Sequence, residues 1–270
     1  MQAPKVPADK TGAGIRGAEG APFSRIPLAL HTGYAALFDT FLNDAGKIRM
    51  DFETVVRTRY SARKFLDRAV PEQTLQRILE LAQHTASWCN CQPWQLVITR
   101  GEATERFRQA VYAHARSGAR ANPDFAFPAA YEGTYRERRK VCGVQLYQAL
   151  GIGKDDRESA AQQALENFRL FGAPHVAIVT TEEKLGVYGA IDCGLYVGNF
   201  LLAARNEGVD TIAQAALASY PDLVREFFSL PPNRKIVCGI SFGFADPQDR
   251  IHSYRTDRAT VAEAVHFIDS

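Results

Sequence analysis

Apolar positions recur at helical spacing after Asp51, where Phe52, Val55 and Val56 predict a helix through about Thr58 with Asp51 as its cap. Pro71-Glu72-Gln73 opens a second helix, a favoured place for proline and acidic residues, with Leu75, Ile78, Leu79 and Ala82 as its buried stripe. Gln95 to Thr99 reads as a strand, and Glu102 to about Ser117 as an amphipathic helix. Arg157 to Leu170 is helical in pattern, and His175 to Thr181 is a strongly apolar strand. Val187 to Glu207 is a long helix stopped at Gly208, with enough apolar residues to be a buried core element. Asp210-Thr211-Ile212 begins a short strand, Tyr220-Pro221-Asp222 opens a helix through about Phe228, and Arg234 to Ser241 is a near-continuous apolar strand. Thr256 to Phe267 reads as a strand or turn and then a helix. Helices outnumber strands, and the strands are far apart in sequence. That pattern predicts an α+β, three-layer domain with long helices on a central sheet.

Two stretches interrupt the pattern. Residues 1–22 are polar and Gly/Ala-rich, whereas Leu28, Leu30, Tyr34, Leu37, Phe38 and Phe41 recur at helical spacing. The expected organisation is therefore an N-terminal extension at 1–49, flexible then helical, and a folded domain at 50–270. Residues 118–157 mix glycines, prolines and aromatic residues and read as a mobile cover over a pocket. Within them Arg136 to Lys140 suits a solvated helix face. Gly151-Ile152-Gly153-Lys154 lacks the frame and the following hydroxyl of a phosphate loop.

Composition narrows the function. Net charge is only +2, so a nucleic-acid partner is disfavoured and any anion site must be local. The five cysteines are scattered, which suits reduced thiols and a cytoplasmic protein. The first residues carry no apolar secretory stretch. Gly186 to Ala204 is apolar enough to suggest a membrane span, but Asp192 and Asn199 near its middle argue for a packed helix.

The chain has no HExxH, GxSxG or post-strand GxGxxG motif, and its six histidines show no metal spacing. The chemistry left is that of arginine, serine and amide groups. In Arg59-Tyr60-Ser61-Ala62-Arg63-Lys64-Phe65 two guanidinium groups flank a hydroxyl, the donors a phosphate monoester needs. Alone, such a stretch is an ordinary solvated basic patch. Arg255 and Arg258 form a second basic pair suited to the same phosphate. Asn90, in the loop Ser87-Trp88-Cys89-Asn90-Cys91-Gln92-Pro93-Trp94, offers both a donor and an acceptor, matching the alternating edge of a flavin ring. Ile212 to Leu217 is a loop of small residues that lets a ring approach the main chain.

In this order and spacing, these stretches, together with Gly239-Ile240-Ser241-Phe242-Gly243, resemble the FMN-dependent nitroreductase family over roughly Asp51 to Phe267. The resemblance implies a mainly antiparallel central sheet flanked by helices, in an intertwined homodimer whose sites are built by both subunits. It implies FMN as cofactor and NADH or NADPH as co-substrate, with two-electron ping-pong hydride transfer to a small nitroaromatic or related acceptor. Arg59, Ser61, Arg255 and Arg258 would hold the FMN phosphate, and Tyr60 would line the ribityl chain. Arg63 would reach the ring, Asn90 its pyrimidine edge, and backbone around Ala213, Gln214, Ala215 and Ala216 its N5. Tyr131 and Tyr135 are the candidate substrate contacts, and no catalytic side chain or metal ligand is assigned. The sequence departs from the family pattern at Tyr60, often Arg or His, and at Ala213, commonly Pro. Dehalogenation or dehydrogenation on the same flavin, and a non-enzymatic flavin-binding protein, are the alternatives.

Overall fold

The computed structural model describes residues 50–269, so the expected extension at 1–49 lies outside the described residues. Among the described residues four strands form one antiparallel sheet, β1 (Gln95–Ile98), β2 (His175–Glu182), β3 (Asp210–Gln214) and β4 (Arg234–Gly243), in the order β1-β2-β4-β3. Eight α-helices accompany them among the same residues: α1 (Phe52–Thr58), α2 (Glu72–Gln83), α3 (Glu102–Arg116), α4 (Gly133–Leu150), α5 (Arg157–Leu165), α6 (Gly186–Asn206), α7 (Pro221–Phe228) and α8 (Val261–Ala264).

Both sheet faces are covered, which explains the unbroken apolar run of β2. Val176 and Ile178 point to one core with Phe107 and Val111 of α3 and Val224 of α7. Ala177 and Val179 point to the other, with Leu75 and Ile78 of α2 and Tyr196 and Phe200 of α6. Along β4, Ile236 belongs to the first core and Ile240 to the second, although strict alternation would put both on one face. The pairing explains this: Val179 faces Cys238 while Thr180 faces Ile236, so β4 carries one extra residue and its side chains change faces there.

Local signals act as the sequence predicts. Asp51 caps α1, its carboxylate accepting the Thr54 N–H at 3.0 Å, and these hydrogen bonds hold its pKa below the usual value. α6 ends where Gly208 turns left-handed at φ 74°, with Val209 N–H returning to the Ala204 carbonyl at 2.8 Å and Gly208 N–H to Arg205 at 3.1 Å.

Two expectations are corrected. The cover at 118–157 contains α4, a regular helix of 18 residues, none of them fully buried. Its apolar residues are spread around its circumference, so no stripe announces it. α6 is a core helix on one face only. Cys193, Tyr196 and Phe200 are buried, whereas Val187, Tyr188, Ile191 and Leu195 are exposed. By length and composition Glu183–Asn206 is apolar enough to cross a membrane. Here it packs on α2, β2 and β3, and its polar residues are engaged: Asp192 accepts the Trp88 N–H, and Asn199 donates to Thr85 at 2.8 Å.

Candidate cofactor site

The chain leaving α1 forms one wall of an open groove. Ser61 bridges Thr211 of β3, and Ala62 N–H donates to the Thr211 carbonyl at 3.0 Å, with the Ala62 methyl fully buried. Pinning residue 62 to the sheet edge leaves Arg59, Tyr60, Ser61 and Arg63 on the groove. The opposite wall is the segment from Ile251 to Arg258. Buried Ile251 anchors it, and Asp249 caps its first turn by accepting the Ile251 N–H at 2.9 Å. Cys142, on α4, lines the same groove, whose volume is about 610 Å³.

Side chains tie the walls together. The Arg63 N–H donates to His252 Nε2 at 2.9 Å, the Arg255 guanidinium sits over the Tyr60 ring at 4.0 Å, and Tyr60 meets His252 edge-on at 5.5 Å. Arg59, Ser61, Arg255 and Arg258, which sequence reasoning assigned to one phosphate, are thus brought to one groove with Arg63.

Of the arginines lining this groove, Arg57 pairs with Glu53 at 2.7 Å, on the outer side of α1. Among the described residues no carboxylate pairs with Arg59, Arg63, Arg255 or Arg258; Arg63, Arg255 and Arg258 donate to neutral groups such as the carbonyls of Ser61, His252 and Thr256. Burial, and then the nearby Arg258, pull the Arg59 guanidinium below its ordinary pKa. Four arginines without an anion are the partners a phosphate would supply. The Tyr254 hydroxyl, beside Arg63 and Cys142, is also buried without a partner, and burial raises its pKa. The groove volume lies within the roughly 300–1,000 Å³ common for cofactor sites, so these residues fit a phosphate-bearing cofactor such as FMN. A hollow of about 670 Å³ beside His114 and Tyr220 holds Arg120 together with Asp222, so size alone does not select the site.

The other sequence-assigned residues lie outside this groove. β3 carries Ala213, and the 3-10 turn that follows it begins with Ala215, both exposed, onward from the Thr211 bridge. Gln214 is turned inward, donating to the Asn167 carbonyl at 2.8 Å and accepting from Ser241 at 2.5 Å, so its side chain is engaged inside the domain. Asn90 is exposed in a tight turn where Cys89, Asn90 and Gln92 all have positive φ, and its side-chain oxygen accepts from Gln92 at 3.1 Å. Tyr131 and Tyr135 are exposed at the start of α4, about two turns before Cys142, and Arg139 sits over the Tyr131 ring. His252 escaped sequence reasoning. Its role arises from a contact spanning 189 positions, and no local signal marks it among the six histidines.

A four-stranded antiparallel sheet covered on both faces, with an arginine-rich groove at its β3 edge, defines an α+β protein equipped to hold a phosphorylated ligand. The family model described as the nitroreductase family matches residues 56–244, and the chain belongs to that family. It is 36% identical over 217 residues to nitroreductase NfnB of Mycolicibacterium smegmatis, covering 80% of this chain and 92% of that protein. It is 35% identical to a 4-nitrobenzoate reductase of Nocardioides sp., covering 80% and 90%. Among solved structures, the FMN-dependent nitroreductase NfnB from Mycobacterium smegmatis in complex with NADPH aligns with a TM-score of 0.77 at 33% identity, covering 80% of this chain and 97% of that one.

Proposed function

We propose that this protein is an FMN-dependent NAD(P)H oxidoreductase that reduces nitroaromatic compounds by two-electron hydride transfer. The observation that carries the reading is the groove where Arg59, Arg63, Arg255 and Arg258 have no carboxylate partner among the described residues, in a chain more than 30% identical to nitroreductases over four-fifths of its length. When bound, FMN supplies the hydride chemistry, accepting from NADH or NADPH and delivering to the acceptor. Arg59, Ser61, Arg255 and Arg258 hold the phosphate by charge-assisted hydrogen bonds. Arg63 sets a permanent cation beside the ring, favouring the charge that accompanies reduction. The small residues Ala213, Ala215 and Ala216 leave room for the ring against the backbone. No side chain is assigned as acid, because water can supply the protons.

The protein works as a homodimer in this reading. Val187, Tyr188, Ile191 and Leu195 of α6, with Trp88 nearby, form an exposed apolar face that a second copy would cover. Asn90, outside the groove of its own chain, would serve the site shared with the partner. The division into an extension at 1–49 and an FMN-binding domain at 50–270 is supported by the family match, which begins at residue 56. Free cysteines suit the cytoplasm; burial raises Cys193 to about 11 and Cys238 to about 12, so both stay protonated thiols.

The test is spectroscopic. Purified protein supplemented with FMN should show a bound-flavin absorption spectrum that NADPH or NADH bleaches and a nitrobenzoate restores. A protein that binds no flavin would sink the reading, and flavin that is bound but never reduced would leave a binding protein only.

A further inference from the structure

The ring of His252 reaches across the groove to Arg63 through one nitrogen and is held to its own chain segment at Asp246 through the other. Nε2 lies 2.9 Å from the Arg63 backbone nitrogen, which has only a hydrogen to offer, so Nε2 is the acceptor. Nδ1 lies 2.9 Å from the Asp246 carbonyl oxygen, which can only accept, so Nδ1 carries the proton. The two contacts define a neutral ring in one tautomer. Its backbone is engaged too, the His252 carbonyl accepting from Arg255 at 2.8 Å. One residue therefore sets the main chain of Arg63, edges onto Tyr60, and anchors Arg255.

We propose that His252 is a positioning residue, a latch that closes the two walls on the cofactor only while its ring is neutral, and so links flavin binding to pH. The inference rests on the flavin reading of the groove. A second proton on the ring removes the Nε2 lone pair and sets an N–H against the Arg63 N–H. The charged side chains that line the groove with His252 are all cations, Arg57, Arg59, Arg63, Arg255 and Arg258, and the other titratable ones are Tyr60, Tyr254 and, from α4, Cys142. The nearby carboxylates of Asp246 and Asp249 accept the Gln248 and Ile251 N–H groups instead. Neither ring nitrogen is free for a ligand, so His252 acts through Arg63 and Arg255 rather than by contact.

The experiment measures FMN dissociation constants by flavin fluorescence for the natural protein, His252→Gln and His252→Ala at about pH 8 and about pH 5.5. Glutamine can accept the Arg63 N–H and does not titrate. The natural protein should weaken roughly five- to tenfold more on acidification than His252→Gln, the effect of losing one hydrogen bond. His252→Ala should already be weakened by that factor at pH 8. The FMN phosphate titrates near pH 6 in every variant and cancels in the comparison. Equal acid weakening in the natural protein and His252→Gln overturns the latch. Absence of FMN binding at pH 8 would instead count against the flavin reading. For that reason amide exchange at Arg63 is followed without FMN over the same range, corrected for intrinsic exchange. Protection should fall on acidification in the natural protein and hold in His252→Gln; identical profiles overturn the latch independently of flavin.

Discussion

The guanidinium of Arg255 rests over the ring of Tyr60, 4.0 Å from its centroid, joining a residue of the first groove wall to one of the second. The ring fixes a long, flexible cation that would otherwise have to be ordered when the ligand arrives. Tyr60→Ala should therefore weaken FMN about two- to fivefold, the effect of losing roughly 0.5–1 kcal/mol of cation–π attraction. Tyr60→Phe should keep the affinity. Fluorescence titration checks both, and an undisturbed Tyr60→Ala removes the ring from the site.

Arg59 and Arg258 repel each other while the groove lacks an anion. Removing either should weaken FMN tenfold or more, since a hydrogen bond to a charged group contributes about 1.5–3 kcal/mol. Riboflavin, which lacks the phosphate, should bind Arg59→Ala as it binds the natural protein. The ligand-free Arg258→Ala protein should melt no lower than the natural one. Equal losses for FMN and riboflavin would place these arginines elsewhere than on the phosphate.

Asp192, buried on α6, accepts the Trp88 N–H at 3.1 Å and lies 3.8 Å from the Cys91 sulfur. It is the tether of the Asn90 turn. Asp192→Ala removes the charged acceptor of a partly buried N–H, a hydrogen bond worth about 1.5–3 kcal/mol. Chemical denaturation should show that loss, and limited proteolysis should begin to cut near residues 87–92.

His175 is a buried structural histidine, as its place at a strand start suggests. Nε2 accepts the Val70 N–H at 3.0 Å, Nδ1 faces the Thr99 carbonyl at 3.1 Å, and burial pulls its pKa below the ordinary 6.5. Above 6.5 both folded and unfolded chains hold it neutral, and its contribution to stability is complete. As pH falls below 6.5 the unfolded chain takes up the proton first, so stability declines. Melting temperature should drop from pH 7.5 toward pH 5.5 by less in His175→Asn than in the natural protein, although the variant starts lower.

Two glycines of α6 separate its inner and outer faces. A Cβ at Gly189 would lie 2.6 Å from the Thr181 hydroxyl and 2.8 Å from Leu185 Cβ, so Gly189→Ala should destabilise by about 1–3 kcal/mol. A Cβ at Gly194 meets nothing within 4 Å. Gly194→Ala should therefore stabilise a single chain by roughly 0.5–1 kcal/mol while weakening self-association across the exposed face. Sedimentation at several concentrations distinguishes these effects, and an unaltered association constant would move the dimer contact away from Gly194.

Much of this was legible in the sequence because the signals are local. Pro71, the Asp51 cap, the stop at Gly208 and the apolar runs of β2 and β4 each act within a few residues. The arginine groove was legible as a list of partners, since the residue types alone name a phosphate. What stayed hidden is non-local. α4 shows no stripe because none of its residues is fully buried. The changed face along β4 depends on one extra residue that only pairing reveals. Gln214 looks like a loop residue until Ser241, on the neighbouring strand, takes its side-chain oxygen. His252 matters through Arg63, far upstream.

That separation of His252 and Arg63 also orders events during synthesis. One wall of the groove leaves the ribosome early, with α1, and the other comes near the end of the chain, after β4 has joined the sheet. A chain stopped before Ile251 already carries the residues of both cores but only one of the two walls. The clasp is therefore completed by the last residues made.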